Sequence, residues 1–441
     1  MSPTVALETL GCKVNQYESS YFLESLIKAG YTPVSFRDTA DVYIVHGCAV
    51  TSRAGFQTRQ LLRRARRLNP EARIVATGCE AQADPARLAK ERLATHILGT
   101  VEKADLLRYL DEPGGWDNPC LAVSDPRRCS TLSPLPLSRM HTGRTRAFLR
   151  IQDGCDAFCS YCIVPHTRGA ARSLPEVDVH AQMDRFVAAG YKEVVLTGIH
   201  LGQWGRDLAP PRSLADLLRS LQDKGCSLPL RLRLSSLESI EWTEELLSAL
   251  AGFPGLCPHF HVPLQSGDAT VLSRMHRPYG PGDFADVLIE LHHRFPEAAL
   301  GADVMVGFPG EDESHFQNTV RLINGLPLTY LHVFPYSPRP GTPAARWPDR
   351  VEGNELKRRA HLLQALGAQK REAFRKRFVG RCVEVLVESC DKSGMWRGTT
   401  ANYLQVRFAG SPNIAAGAFV RVRIRATAED WLVGEVVGTT F

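Results

Sequence analysis

No stretch of the chain approaches the roughly 18 consecutive apolar residues that a membrane helix needs. The opening MSPTVALETLGC lacks the basic patch and apolar run of a secretory leader. A cytoplasmic protein is therefore expected, with no membrane partner. Charge of one sign is scarce as well. Fifty-three basic side chains stand against 47 acidic ones, a net +6 that is too mild to indicate a polyanionic partner by itself. No long heptad run is visible, so a monomer is expected. Cysteine is not scarce. The chain holds 12, and in a reducing compartment clustered thiols point to metal or catalysis before disulfides.

The chain divides into segments of different character, and the fold class is α/β. From 1 to 112, strand-like runs (TVALETL, ADVYIVH, ARIVAT, THILGT) alternate with amphipathic helical ones, which predicts a parallel α/β domain. Residues 113–144, rich in Pro, Gly, Ser and Arg, read as a linker or wrapped connection. Over 145–375, six strand candidates (RAFLRIQ, EVVLTG, LRLRLSS, HFHVPLQ, LGADVMVG, YLHVFPY) are separated by helical runs. That pattern predicts a partial (β/α)6 barrel with its site at the C-terminal strand ends. Residues 376–441 alternate apolar with polar or basic positions around Gly turns, as in a small antiparallel β-barrel.

Two cysteine patterns carry the chemistry. GCDAFCSYC places Cys155, Cys159 and Cys162 within one short loop after a strand. Zinc in structural sites takes four ligands, and no fourth Cys or His completes a standard spacing, His166 being the nearest candidate. Three thiolates on a four-iron cube instead leave one iron open to an outside ligand. LETLGC, YIVHGC and IVATGC each end an apolar run with Gly–Cys, at Cys12, Cys48 and Cys79. Parallel strands present such ends along one edge, so these thiols can meet in space as a second cluster. The alternative is three inert buried cysteines. Cys120, Cys129, Cys226, Cys257, Cys382 and Cys390 lack ligand spacing and read as free thiols.

C-x3-C-x2-C with an aromatic, Tyr161, before the third Cys resembles the signature of the radical S-adenosylmethionine superfamily. There, S-adenosylmethionine chelates the open iron, and reduction of the cluster releases a 5′-deoxyadenosyl radical. With the Gly–Cys strand ends before the barrel and a basic β-barrel after it, the whole chain is similar to the methylthiotransferase family. The resemblance implies two 4Fe-4S clusters, held by Cys12, Cys48 and Cys79 and by Cys155, Cys159 and Cys162. It further implies S-adenosylmethionine, an electron donor, a sulfur source, and a TRAM-like barrel that grips the tRNA anticodon stem-loop.

TLGCKVNQYES, GCAVTSRA, LTGIHLGQWGRD and HVFPYSPRPGTPA resemble the subgroup acting on N6-threonylcarbamoyladenosine beside the anticodon. The rivals are the same chemistry on N6-isopentenyladenosine or on a ribosomal-protein aspartate, and a zinc-stabilised RNA-binding protein without catalysis. The chain departs from the subgroup pattern at His46–Gly47, Trp204 and Ser239.

The resemblance also supplies further candidates. Tyr161 would lie beside adenine, and the Gly198–His200 segment at the methionine amino group. Ser235, Ser236 and Gln265 would hydrogen-bond ribose or carboxylate. Gly301, Asp303, Gly307 and Gly310 would form the adenosine-side wall. For RNA, Arg421, Arg423 and Arg425 alternate along FVRVRIR, which puts all three on one strand face. Arg375, Lys376 and Arg377 join them as candidates, as does Arg168 after the cluster loop.

Overall fold

The computed structural model describes residues 2–141, 143–223, 230–410 and 414–440, so Cys226 lies outside the described residues. The first sheet holds β1 (Thr4–Thr9), β2 (Thr32–Pro33), β3 (Val42–Gly47), β4 (Arg73–Gly78), β5 (His96–Leu98) and β6 (Cys120–Ala122). Its order is β2-β1-β3-β4-β5-β6, with every neighbouring pair parallel. Strands covered on both faces need continuous apolar runs, and β3, VYIVHG, is buried at every position. The arginine-rich helix Ser52–Leu68 buries Thr58, Leu62 and Ala65 and is capped by Thr51. Several of its arginines are occupied on the protein surface: Arg63 pairs with Glu91, and Arg66 lies 4.4 Å over the Trp116 ring. Within 113–144, residues 120–122 add the sixth strand, and Leu132, Leu135, Leu137 and Met140 enter the core of the next unit.

That unit contains β7 (Ala147–Arg150), β8 (Gln152–Asp153), β9 (Arg172–Ser173), β10 (Glu193–Thr197), β11 (Arg231–Leu234), β12 (His259–His261), β13 (Ala299–Val306) and β14 (Tyr330–Pro335). β7, β10 and β11 form one parallel run and β12, β13 and β14 another. The Leu237 amide, donating to the His261 carbonyl at 3.1 Å, ties the two runs together. The six strands thus follow chain order in an open, partial barrel, as the sequence predicts. The short pair β8–β9 is antiparallel and clamps the base of the loop that carries Cys155, Cys159 and Cys162.

After the long helix Gly353–Lys376 come β15 (Cys382–Cys390), β16 (Met395–Thr400), β17 (Gln405–Ala409), β18 (Phe419–Ala428) and β19 (Trp431–Thr440), closed in the order β15-β16-β17-β19-β18. The antiparallel expectation needs one correction, because β17 and β19 run parallel. A closed ring with an odd number of strands cannot alternate direction all the way round. Val420, Val422 and Ile424 fill its core, while Arg421, Arg423 and Arg425 face outward. The small barrel is fastened beneath the partial barrel by Arg231, which donates to Glu384 at 2.9 Å, and by Arg233, which donates to the Ala401 carbonyl at 2.9 Å. Among the described residues, no helix is long and apolar enough to cross a membrane.

Candidate active site between two cysteine trios

Cys12, Cys48 and Cys79 follow β1, β3 and β4, which are neighbours in the sheet. Register aligns their ends: Thr9 lies opposite His46, and Gly47 opposite Gly78. The glycine before each thiol leaves no room for a side chain. A Cβ on Gly11 would stand 2.8 Å from Cys48 Cβ, one on Gly47 would stand 2.6 Å from Thr58, and one on Gly78 would stand 2.5 Å from the His46 ring. Gly11 and Gly78 also adopt positive φ, which L side chains resist. Burial pushes the Cys48 thiol up to about 12, and the Cys79 charge adds to the rise. Without metal the thiol stays protonated, so cluster assembly there must release its proton.

The second trio is shaped by its own loop. Gly154, at φ +78, turns the chain where a Cβ would fall 1.8 Å from the Ala170 carbonyl oxygen. The Cys155 amide donates to Gly169 O at 3.0 Å, and the Cys162 amide to Cys159 O at 2.9 Å. Burial raises Cys162 to about 12 as well. His166 is exposed and packs edge-on against Phe158.

The loop of the second trio touches the first trio through one side chain. Ile163, next to Cys162, packs against Cys79 and Ala49. Val50 and Thr51, just past Cys48, line the same cavity of about 430 Å³ as Cys155, Cys159 and Cys162. Tyr161, Ile199, His200, Gln265 and Asp303 line it too.

The remaining candidates fall as follows. Tyr161 meets Phe308 edge-on at 6.3 Å. His200 places Nδ1 3.4 Å from Cys155 Sγ and Nε2 2.8 Å from Glu241. Burial opposes its charge, but the hydrogen bonds to Cys155 and Glu241 outweigh burial and raise it to about 9. Gly198 leaves space for Gln152, which would lie 2.9 Å from a Cβ there and which accepts from the His200 amide at 2.7 Å. Gln265 sits at φ +66, strained for a residue with a side chain, and its buried Oε1 has no partner. Ser235 Oγ is likewise buried and unpaired, and Ser236 is half-buried. The residue of that segment lining the cavity is Glu238. Asp303 accepts from His261 at 3.1 Å and His332 at 3.2 Å. Gly301 makes room for the Tyr330 ring, only 1.9 Å from a Cβ at that position.

Of the residues expected to meet RNA, two are internal. Arg168 is 1% exposed, held by Asp153 at 2.8 Å and by Asn15 and Glu18 behind the first trio. A buried guanidinium with those partners cannot reach a phosphate. Arg375 is buried against Glu372 at 2.9 Å and Asp430 at 3.3 Å. Lys376 is exposed, and Arg377 donates to the Pro296 carbonyl at 2.7 Å. Arg421, Arg423 and Arg425 are exposed on one face, with Arg425 paired to Glu435. Of the departures from the pattern, Trp204 is a core residue donating to Leu174 O at 2.9 Å. His46 is buried against Ser19 at 2.8 Å, and Ser239 is buried.

Sequence reading missed Arg277. It donates to Cys159 Sγ at 3.3 Å, pairs with Glu238 and bonds the Tyr279 hydroxyl at 2.8 Å. Cys159 lies 118 positions earlier, so no spacing signals the contact.

Unpaired polar atoms buried in a cavity call for a ligand. Gln265 Oε1 and Tyr336 Oη are both of this kind, and both residues line this one. Together with three thiols and a guanidinium on one sulfur, they fit an iron–sulfur cluster and a small polar cofactor.

Comparison with known proteins agrees. The family model "Uncharacterized protein family UPF0004" matches residues 4–99, and "Radical SAM superfamily" matches residues 149–323. A radical S-adenosylmethionine methyltransferase, TsrM from Kitasatospora setae, solved with cobalamin and a 4Fe-4S cluster, shares the fold. It superposes with a TM-score of 0.59 at 17% identity, over 78% of this chain and 77% of that one. The trio at the mouth of an open barrel, with its matching model, defines a radical S-adenosylmethionine enzyme.

The chain is 38% identical to "Threonylcarbamoyladenosine tRNA methylthiotransferase MtaB" of Bacillus subtilis (strain 168), over 98% of this chain and 96% of that one. The protein of that name from Thermotoga maritima is 36% identical over the same shares. A "tRNA-2-methylthio-N(6)-dimethylallyladenosine synthase" of Clostridium botulinum (strain Langeland) is 31% identical, again over 98% and 96%. At that identity and coverage, this chain belongs to the threonylcarbamoyladenosine tRNA methylthiotransferase family.

Proposed function

We propose that this protein methylthiolates carbon 2 of N6-threonylcarbamoyladenosine beside the anticodon of tRNA. The observation that carries the reading is the adjacency of the trios, with Ile163 packed on Cys79 and with Val50 and Thr51 lining the cavity of the loop trio, because inserting sulfur at an unactivated C–H carbon needs a radical source and a sulfur-bearing site side by side. Cys155, Cys159 and Cys162 would hold the radical cluster, and Cys12, Cys48 and Cys79 the auxiliary one. When bound, the clusters and S-adenosylmethionine supply the 5′-deoxyadenosyl radical, the sulfur and the methyl group.

The chain's own residues orient and shield. Arg277 offers its charge to the Cys159 sulfur while Glu238 and Tyr279 hold it in place. Outer contacts of this kind tune a metal site. Gln265 and Tyr336 present polar atoms to the cofactor, with Asp303 across the cavity and Tyr161 on its apolar wall. The outward face of β18 contacts the anticodon stem-loop through Arg421, Arg423 and Arg425. An electron donor and a sulfur source complete the cycle.

The test is nucleoside analysis of bulk tRNA from a strain lacking the gene. Loss of 2-methylthio-N6-threonylcarbamoyladenosine alone is expected. Loss of the isopentenyl counterpart with threonylcarbamoyl unaffected would overturn the assignment.

A further inference from the structure

Apart from the cysteine trios, one group of side chains in the partial barrel is arranged as metal ligands are. His261 ends β12, while Asp303 lies within β13 and His332 within β14, three neighbouring parallel strands. Register sets Asp303 opposite His332, and His261 opposite Gly301. Positions two apart on a strand share a face, so the three side chains point the same way. Asp303 Oδ1 stands 3.1 Å from His261 Nε2 and 3.2 Å from His332 Nδ1. One ligand atom from each residue lies within 4.8 Å of the other two. Donors bound at about 2.0–2.2 Å to a shared zinc ion are spaced in this way. His261 also has a partner for its second nitrogen. The Tyr330 hydroxyl lies 3.1 Å from His261 Nδ1 and 2.8 Å from His259 Nε2. Metal-bound imidazoles almost always carry such an outer contact, which fixes the ring.

Charge and access agree with the geometry. Among the described residues no lysine or arginine pairs with Asp303, whose ionic partners are the two imidazoles. Imidazoles are largely neutral above roughly pH 6.5, and a half-buried carboxylate without a counter-charge is unfavourable. Burial and the Arg233 charge hold His259 well below its ordinary 6.5, so it adds no positive charge either. His332 is 61% exposed and lines a second cavity, of about 330 Å³, between the partial barrel and the small β-barrel. Asp303 lines the cavity of the loop trio. An ion can therefore reach the group from solvent.

We infer that His261, Asp303 and His332 form a binding site for a divalent transition-metal ion such as zinc, separate from both iron–sulfur clusters. Two imidazoles and one carboxylate suit zinc or iron(II), whereas calcium and magnesium prefer oxygen donors throughout. The ion takes the place of the protons between the rings and the carboxylate. Each ring then keeps a proton on its other nitrogen, which for His261 is the one that Tyr330 holds. Three protein ligands leave zinc a further position for water or for an oxygen of a bound molecule. The site uses no cysteine and does not depend on which adenosine is the substrate.

The test adds zinc sulfate to anaerobically reconstituted full-length protein, removes the excess by gel filtration, and measures zinc and iron per chain. Wild type should hold about one zinc beside about eight irons, the content of two four-iron clusters. His332→Ala, a change at an exposed position, should lose the zinc and keep the iron. Tyr330→Phe should weaken zinc binding about 10- to 100-fold, the scale of losing an outer contact. X-ray absorption at the zinc edge should show nitrogen and oxygen donors at about 2.0–2.2 Å. Wild type without zinc, His332→Ala with its zinc retained, or sulfur donors at about 2.3 Å would each overturn the inference.

Discussion

Cys155, Cys159 and Cys162 come from one loop clamped at its base by β8 and β9, whereas Cys12, Cys48 and Cys79 come from the ends of three separate strands. The loop trio takes its shape from contacts a few residues apart, such as the Cys162 amide on Cys159 O. The strand-end trio depends on the order and register of a whole sheet. Each device needs glycine, for different reasons. Gly154 avoids its own loop's backbone at Ala170, while Gly11 avoids a cysteine on the neighbouring strand's extension. A local motif survives changes elsewhere in the chain, but a dispersed one is only as sound as the sheet that aligns it.

The largest effect should come from taking the trios apart one at a time. Replacing Cys12, Cys48 and Cys79 by Ala is expected to lower iron from about eight to about four per chain, as loss of one four-iron cluster requires. Reductive cleavage of S-adenosylmethionine should persist while methylthiolation disappears. Replacing Cys155, Cys159 and Cys162 should abolish both. If the first variant kept full iron, the strand-end thiols would be inert and the symmetry between the trios would be false.

A smaller effect is expected at the joint between the two regions. Glu18, fully buried on the helix after Cys12, meets Lys103 at 2.7 Å, Arg150 at 3.0 Å and Arg168 at 3.4 Å. Glu18→Gln leaves those cations without that charge and should destabilise the protein by about 3–5 kcal/mol, read as a lower denaturation midpoint. Burial opposes the Glu18 charge, but Lys103, Arg168 and Arg150 outweigh it and hold the carboxyl well below its ordinary 4.5. A depressed folded-state value means that its stabilisation is present above pH 4.5 and lost as pH falls below it. Wild type should therefore lose more stability on acidification through that window than Glu18→Gln does.

The smallest effect concerns a surface that belongs to neither trio. Replacing Arg421, Arg423 and Arg425 by Ala should weaken stem-loop binding without changing iron content. It should also flatten the dependence of log K on log salt by about 2 units, the share of three phosphate contacts. The Arg425 substitution alone should matter least, because Glu435 already holds that side chain.

Much of this was legible in the chain. The repeated Gly–Cys at the ends of apolar runs, the six strand candidates and the alternating arginines of FVRVRIR all follow from periodicity, which a strand preserves in three dimensions. Arg168 and Arg375 were misread for one shared reason. A sequence displays charge but not the carboxylates that the fold brings to meet it, here Asp153 and Glu18 for the first and Asp430 for the second. The parallel seam of the small barrel follows from closing a ring of five strands, and closure is not a property of any one segment.

The sequence by itself determined the chemistry available: which residues are thiols, which glycines allow the chain to turn before them, and where strands begin and end. These depend on covalent neighbours and on the two-residue period of a strand. Only the tertiary structure decided that Val50 and Thr51 share a cavity with the loop trio and that Arg277 attends Cys159. Such contacts join residues far apart in the chain, and their strength comes from removing charge and sulfur from water, which happens only when the parts close on one another.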